Sequence, residues 1–137
     1  MSSFKSLPLE ESRSQIPDIV AGADLSAKTG YAVGIATGRT ATLATTAAAF
    51  DGILTEGGAS GAPVSIRAYG LAFAIVNGNS VNIAKGDLLV PTTGGVLIKL
   101  DEDTGGFYSC IAREAATTDA ARILVLIAPG YADAPDA

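Results

Sequence analysis

The sequence predicts an all-β domain, and three observations carry that prediction. Apolar and polar residues alternate with a period of two in several short runs. Glycine, proline, asparagine and aspartate punctuate those runs about every eight to twelve positions, the spacing of a small sandwich or barrel. No helical stripe longer than about two turns emerges, the best candidate being Arg113 to Ala121.

At 137 residues the chain fits one domain, large enough to fold around a single core without disulfides or metals. Three segments are expected: an extended N-terminal arm over residues 1–21, a β domain over 22–130, and a loose acidic tail over 131–137. The arm carries Pro8 and Pro17, which break any helix, and spreads its apolar residues without period. Fully stretched, it would reach about 65–70 Å at roughly 3.3 Å per residue. Leu7 and Leu9 share one face of such a segment.

From Gly22 onward the chain reads as strand and turn. Residues 31–36 and 41–43 flank Thr37-Gly38-Arg39, a hairpin signal. Residues 45–50 read as a helical turn or loop, and Gly52-Ile53-Leu54 leads into the glycine-rich stretch Gly57 to Gly61. Val64, Ile66 and Ala68 alternate with Ser65 and Arg67, and Leu71, Phe73 and Ile75 repeat that pattern, so these apolar sets are expected to face the core. Asn77-Gly78 predicts a tight turn, since both residues tolerate positive φ. Leu88 to Val90 forms a short strand closed by Pro91, after which Val96, Ile98 and Leu100 face one way. Asp101 to Gly106 turns the chain into a strand over 107–112. Ile123 to Ala128 is apolar on both faces, which predicts a central, covered strand.

Composition narrows function. Net charge is −5 and the five arginines (Arg13, Arg39, Arg67, Arg113, Arg122) are scattered, a poor match to nucleic acid. The longest apolar run, Ile123 to Pro129, falls far short of a membrane span, and the N-terminus lacks the apolar core of a secretory signal. A protein made in the cytoplasm, without membrane or nucleic-acid partners, is expected. Only 17% of residues are charged, against roughly 25% in typical soluble domains. The Ala, Gly and Thr that replace them suit close protein contact, because they lose little entropy on ordering.

Motifs for chemistry are weak. The chain has no histidine, so Ser-His-Asp and Cys-His machinery cannot be built within it. Its single cysteine, Cys110, lies in an apparent strand and reads as a buried, inert thiol. Residues 22–29 approach the phosphate-loop pattern, but Ala27 replaces a required glycine and a strand-like segment follows where a helix is needed. Asp101 to Gly106 resembles the opening of a calcium loop without its later ligands, and a hairpin turn is the better reading. Ser60 lacks the glycine spacing of a nucleophile elbow. Carboxylate pairs remain countable among 14 acids, but with no tryptophan a sugar-stacking cleft has little support. No enzyme activity, cofactor, metal or small-molecule substrate is expected.

Several elements taken in order resemble the capsid cement, or decoration, proteins of tailed bacteriophages. They are Gly22 to Leu25, Gly30 to Val33, Gly52-Ile53-Leu54, Val64 to Gly70, Gly86-Asp87 before Leu88 to Val90, Gly94-Gly95, and Ile111-Ala112 through Ile123 to Ile127. The resemblance covers roughly residues 22–128 and rests on glycines and aliphatics that shape strands and turns. It implies a β-barrel or β-tulip domain with at most short helices, assembled as a homotrimer on the capsid exterior. There the major capsid protein would be its partner and stabilisation of the expanded shell its task. Within that implication the arm residues Phe4, Leu7, Pro8, Leu9 and Ile16 are the expected anchors to capsid or to a neighbouring subunit. Two alternatives stay open: a small-molecule or carbohydrate-binding barrel rimmed by Gly57 to Gly61, and another virion β protein such as a tail or fibre-attachment subunit.

Overall fold

The computed structural model describes residues 18–135. Ten strands form two sheets: β1 (Val20–Ala21), β2 (Ala32–Ala36), β3 (Thr40–Leu43), β4 (Gly52–Glu56), β5 (Ser65–Arg67), β6 (Gly70–Val76), β7 (Leu88–Pro91), β8 (Leu97–Lys99), β9 (Gly106–Ala112) and β10 (Ala121–Ala132). The chain is all-β, as its patterning predicts, and among the described residues the helical content is one 3-10 turn, Thr93–Gly95.

The second half of the chain closes a five-stranded barrel in the order β10-β6-β8-β7-β9. Its pairs are antiparallel except β6 with β8, which run parallel at Val76 and Leu97. A barrel of so few strands has a narrow interior, and small side chains must alternate with large ones to fill it. Ala72, Ala74 and Val76 of β6 point inward against Leu89, Leu97, Ile123, Val125 and Ile127, all buried. Closure between β6 and β8 rests on one residue pair, Val76 with Leu97.

The first half forms a five-stranded sheet, β1-β3-β2-β4-β5. Its central strands are covered on both sides. Ala32 and Ile53 join the barrel core together with Ala44 and Phe50, whereas Val33 and Leu54 face a second core with Ile19, Ala21, Leu25, Ala41, Val64 and Ile66. The units are also tied through backbone: Gly30 N–H donates to the Leu54 carbonyl at 2.7 Å, and Ile75 N–H donates to the Gly30 carbonyl at 2.9 Å.

β1 nearly closes this sheet as well. It pairs parallel to β3 on one side, and on the other Val20 bridges antiparallel to Pro63. Ala21 N–H donates to the Ala62 carbonyl at 2.8 Å, and Val64 N–H donates to the Ile19 carbonyl at 3.0 Å. The arm expected to end at residue 21 therefore gives its last three residues to the folded domain. At the other terminus β10 runs on to Ala132, past the expected boundary at 130.

The hairpin around Gly38 forms as expected, with Gly38 and Arg39 both at positive φ between β2 and β3. Other expectations are corrected. Residues 113–121 are not helical: Ala116 exchanges two 2.9 Å backbone hydrogen bonds with Ile83, and Ala120 turns at φ 56° into β10. Asn77-Gly78 opens a long loop instead of a tight hairpin, because β6 finds its partners in β8 and β10. Gly78 is needed there for close approach, since a Cβ at this position would meet the Ala116 carbonyl oxygen. The face of β6 is inverted relative to expectation: Leu71 and Phe73 lie outside and Ala72 and Ala74 inside. In β8 Leu97 points inward, and of the set expected to share one face Val96 and Ile98 are half-buried while Leu100 is buried. β10 is central between β6 and β9, yet covered on one face only: Ile123, Val125 and Ile127 are buried, whereas Leu124 and Leu126 remain partly exposed.

Candidate protein-binding surface

The inverted face of β6 creates the most distinctive surface of the domain. Strand register sets Phe73 opposite Leu124, and Leu71 opposite Leu126. The second row continues across the barrel, because Leu126 pairs with Ile111 of β9 and Ile111 with Leu88 of β7. Leu71 is 53% exposed and Phe73 52%, and the four others are half-buried. Cross-strand apolar neighbours on one face merge into a patch, and such patches on a folded domain mark interaction sites.

Where this face meets the first sheet, a groove of about 250 Å³ opens, lined by Thr29, Thr55, Arg67, Leu71, Phe73 and Arg122. The Arg122 guanidinium lies 5.5 Å from the centre of the Phe73 ring, a cation–π arrangement. Among the described residues no acidic group lies within ion-pair distance of Arg67 or Arg122; the ion pairs there join Lys99 to Asp87 at 3.7 Å and to Glu102 at 3.8 Å.

A second apolar site lies at the β9–β10 end. Phe107 and Tyr131 face each other across the two strands, their ring centres 4.8 Å apart and edge-on at 68°. They are 67% and 58% exposed and, with Ala47, Ala48 and Pro129, border a groove of about 510 Å³. A bulge helps to place them. The register of β9 and β10 shifts between Ile127 and Gly130, which bends β10 and re-aims its end.

The weaker motifs resolve into structural roles. Residues 22–29 form turns, in which Asp24 accepts hydrogen bonds from Ser26 Oγ at 2.7 Å and Ser26 N–H at 3.1 Å. Those bonds hold the Asp24 carboxyl below its ordinary pKa. The strand β2 follows, so no helix N-terminus faces this loop. The glycine-rich stretch is explained by packing: Gly57 lies against the Leu25 carbonyl, and Leu25 N–H donates to the Gly58 carbonyl at 2.8 Å. Ser60 is exposed in the turn that follows. Asp101 folds its own loop, its Oδ1 accepting from Asp103 N–H at 3.0 Å and its carbonyl from Gly105 N–H at 2.9 Å. No group of three potential metal ligands gathers among the described residues. Cys110 is fully buried in the barrel, and desolvation pushes its thiol up to about 12.

Phe4, Leu7, Pro8, Leu9 and Ile16, the expected anchors, lie outside the described residues. The residues that form the two exposed patches were legible only in part. Leu71 and Phe73 belong to an alternating run whose odd and even positions are both apolar, and the signal for inversion was the alternation of alanine with larger residues. No helix among the described residues is long and apolar enough to cross a membrane.

The fold and surface define a small all-β protein with a closed barrel and two exposed apolar patches. No family model matches the chain, and no curated protein matches it.

Proposed function

We propose that this chain is a structural binding protein of the capsid-cement type, which seats on the outside of a tailed-phage capsid as a homotrimer and stabilises the expanded shell. The observation that carries the reading is the pair of separate apolar patches on one barrel domain. A cement protein must touch both its sister copies and the shell, and so needs at least two sticky surfaces. The exposed side chains of these patches are the means of contact in this reading. The order of glycines and aliphatics over residues 22–128, similar to that of cement proteins, supports the same reading.

In this proposal the Phe107–Tyr131 pair lies between copies, since aromatic residues dominate the buried centre of interfaces. The N-terminal arm and the β6–β10 face meet capsid protein. Each shell contact needs only about 800 Å² per partner, and three linked copies gain about 10²–10⁴-fold in avidity on a three-fold site.

The packed barrel interior favours this reading over a small-molecule barrel, whose ligand would have to bind on the outer surface. The test is co-sedimentation of the purified chain with immature and expanded capsids of the phage that encodes it, beside a solution mass measurement. Selective binding to expanded shells by a trimer is expected. A monomer that ignores both shells would sink the proposal.

A further inference from the structure

The groove between β5, β6 and β10 combines two features that call for one kind of ligand. Leu71 and Phe73 offer exposed apolar surface, and Arg67 and Arg122 bring positive charge from strands distant in sequence. In a chain with 14 acidic and 9 basic residues, two bases gathered without an acidic partner among the described residues form a local positive field. Such a groove suits an extended peptide with apolar side chains followed by carboxylates, which arginine binds in bidentate fashion.

The chain itself contains that peptide. Leu7-Pro8-Leu9-Glu10-Glu11 sets two leucines on one face of an extended segment and follows them with two carboxylates. The route is short. The chain leaves the described fold at Asp18, and the adjoining Ile19 carbonyl is bonded to Val64 N–H, immediately before β5. Arg67 lies three positions further along that strand, roughly 10 Å at about 3.3 Å per residue. The residues between Glu11 and Asp18 span up to about 23 Å when extended.

We infer that residues 7–11 dock in this groove of their own chain, with Leu7 and Leu9 on Leu71 and Phe73, and Glu10 and Glu11 paired with Arg67 and Arg122. Tethering supplies an effective concentration in the millimolar range, enough to hold a weak contact. The inference concerns the unbound chain and stands apart from the capsid reading. If both hold, the segment that grips the shell is stored on the β6–β10 face until docking exchanges it.

The test is NMR on the full-length chain, without capsids, with methyl-labelled leucines. Cross-relaxation between the Phe73 ring and the methyl groups of Leu7 or Leu9 is expected. It should be lost in Arg67→Glu/Arg122→Glu and return when Glu10→Arg/Glu11→Arg is added. Glu10→Gln/Glu11→Gln, which changes no residue of the described domain, should lose it too. Absence of the contact in the unmodified chain overturns the inference, as does its survival in both charge variants. A contact seen only between labelled and unlabelled copies in a mixture also overturns it, by assigning the groove to a second chain.

Discussion

The Ile19 carbonyl accepts a hydrogen bond from Val64 N–H at 3.0 Å, and this contact ties the residue before β1 to the residue that leads into β5, the last strand of the first sheet. Ile19 is buried in the second core beside Val64, so the link is apolar as well as polar. The described fold begins at Asp18, beside this contact.

Truncation should reveal that boundary sharply. Removing residues 2–17 should leave the unfolding free energy within about 1 kcal/mol of that of the full chain, whereas removing 2–21 should unfold the first sheet. Ile19→Ala alone should cost about 2–4 kcal/mol, through lost burial and the cavity left behind. Urea titration followed by circular dichroism measures all three. An equally stable chain lacking residues 2–21 would show that β1 is dispensable.

Phe107 and Tyr131 are mostly exposed, so replacing both with serine should change domain stability by less than about 1 kcal/mol. The same change should shift the solution mass from trimer toward monomer if the pair lies between copies. Sedimentation equilibrium decides the point, and an unaltered trimer would move the contact elsewhere on the barrel.

Cys110 predicts a pH dependence with a defined sign. Its thiol is pushed from an ordinary 9.0 to about 12, so the fold retains a proton that the unfolded chain releases. Stability from this group is therefore unchanged below pH 9 and falls as pH rises from 9 toward 12. Subtracting the pH profile of Cys110→Ala isolates the effect of this thiol. In the native state the thiol should resist aromatic disulfide reagents and react only on unfolding.

Ser109 is buried with no hydrogen-bond partner for its hydroxyl among the described residues. An unmade hydrogen bond in the interior is a cost that alanine removes. Ser109→Ala should raise stability by about 1 kcal/mol, read as a higher thermal midpoint. A lower midpoint would mean that the hydroxyl is satisfied in solution.

Much of the fold was readable in the chain because its punctuation is local. Gly38 and Arg39 take the positive φ that turns β2 into β3, and Asp101 builds its loop from its own side chain and carbonyl. The burial of Cys110 likewise follows from its apolar strand context. These features depend on residues close in sequence, so composition and spacing determine them.

Tertiary structure decided which face of each strand is inside. In β6 both parities are apolar, and period two cannot choose between Leu71-Phe73-Ile75 and Ala72-Ala74-Val76. The choice is made by the radius of a five-stranded barrel, whose interior accepts alanines opposite Ile123 and Val125 and excludes Phe73. Long-range pairing within the first sheet recruits Ile19 to Ala21 from the expected arm, and the meeting of that sheet with the barrel brings Arg67 and Arg122 to one groove. Local sequence specified strands and turns; volume and closure, which depend on residues far apart in the chain, specified which apolar side chains lie on the surface.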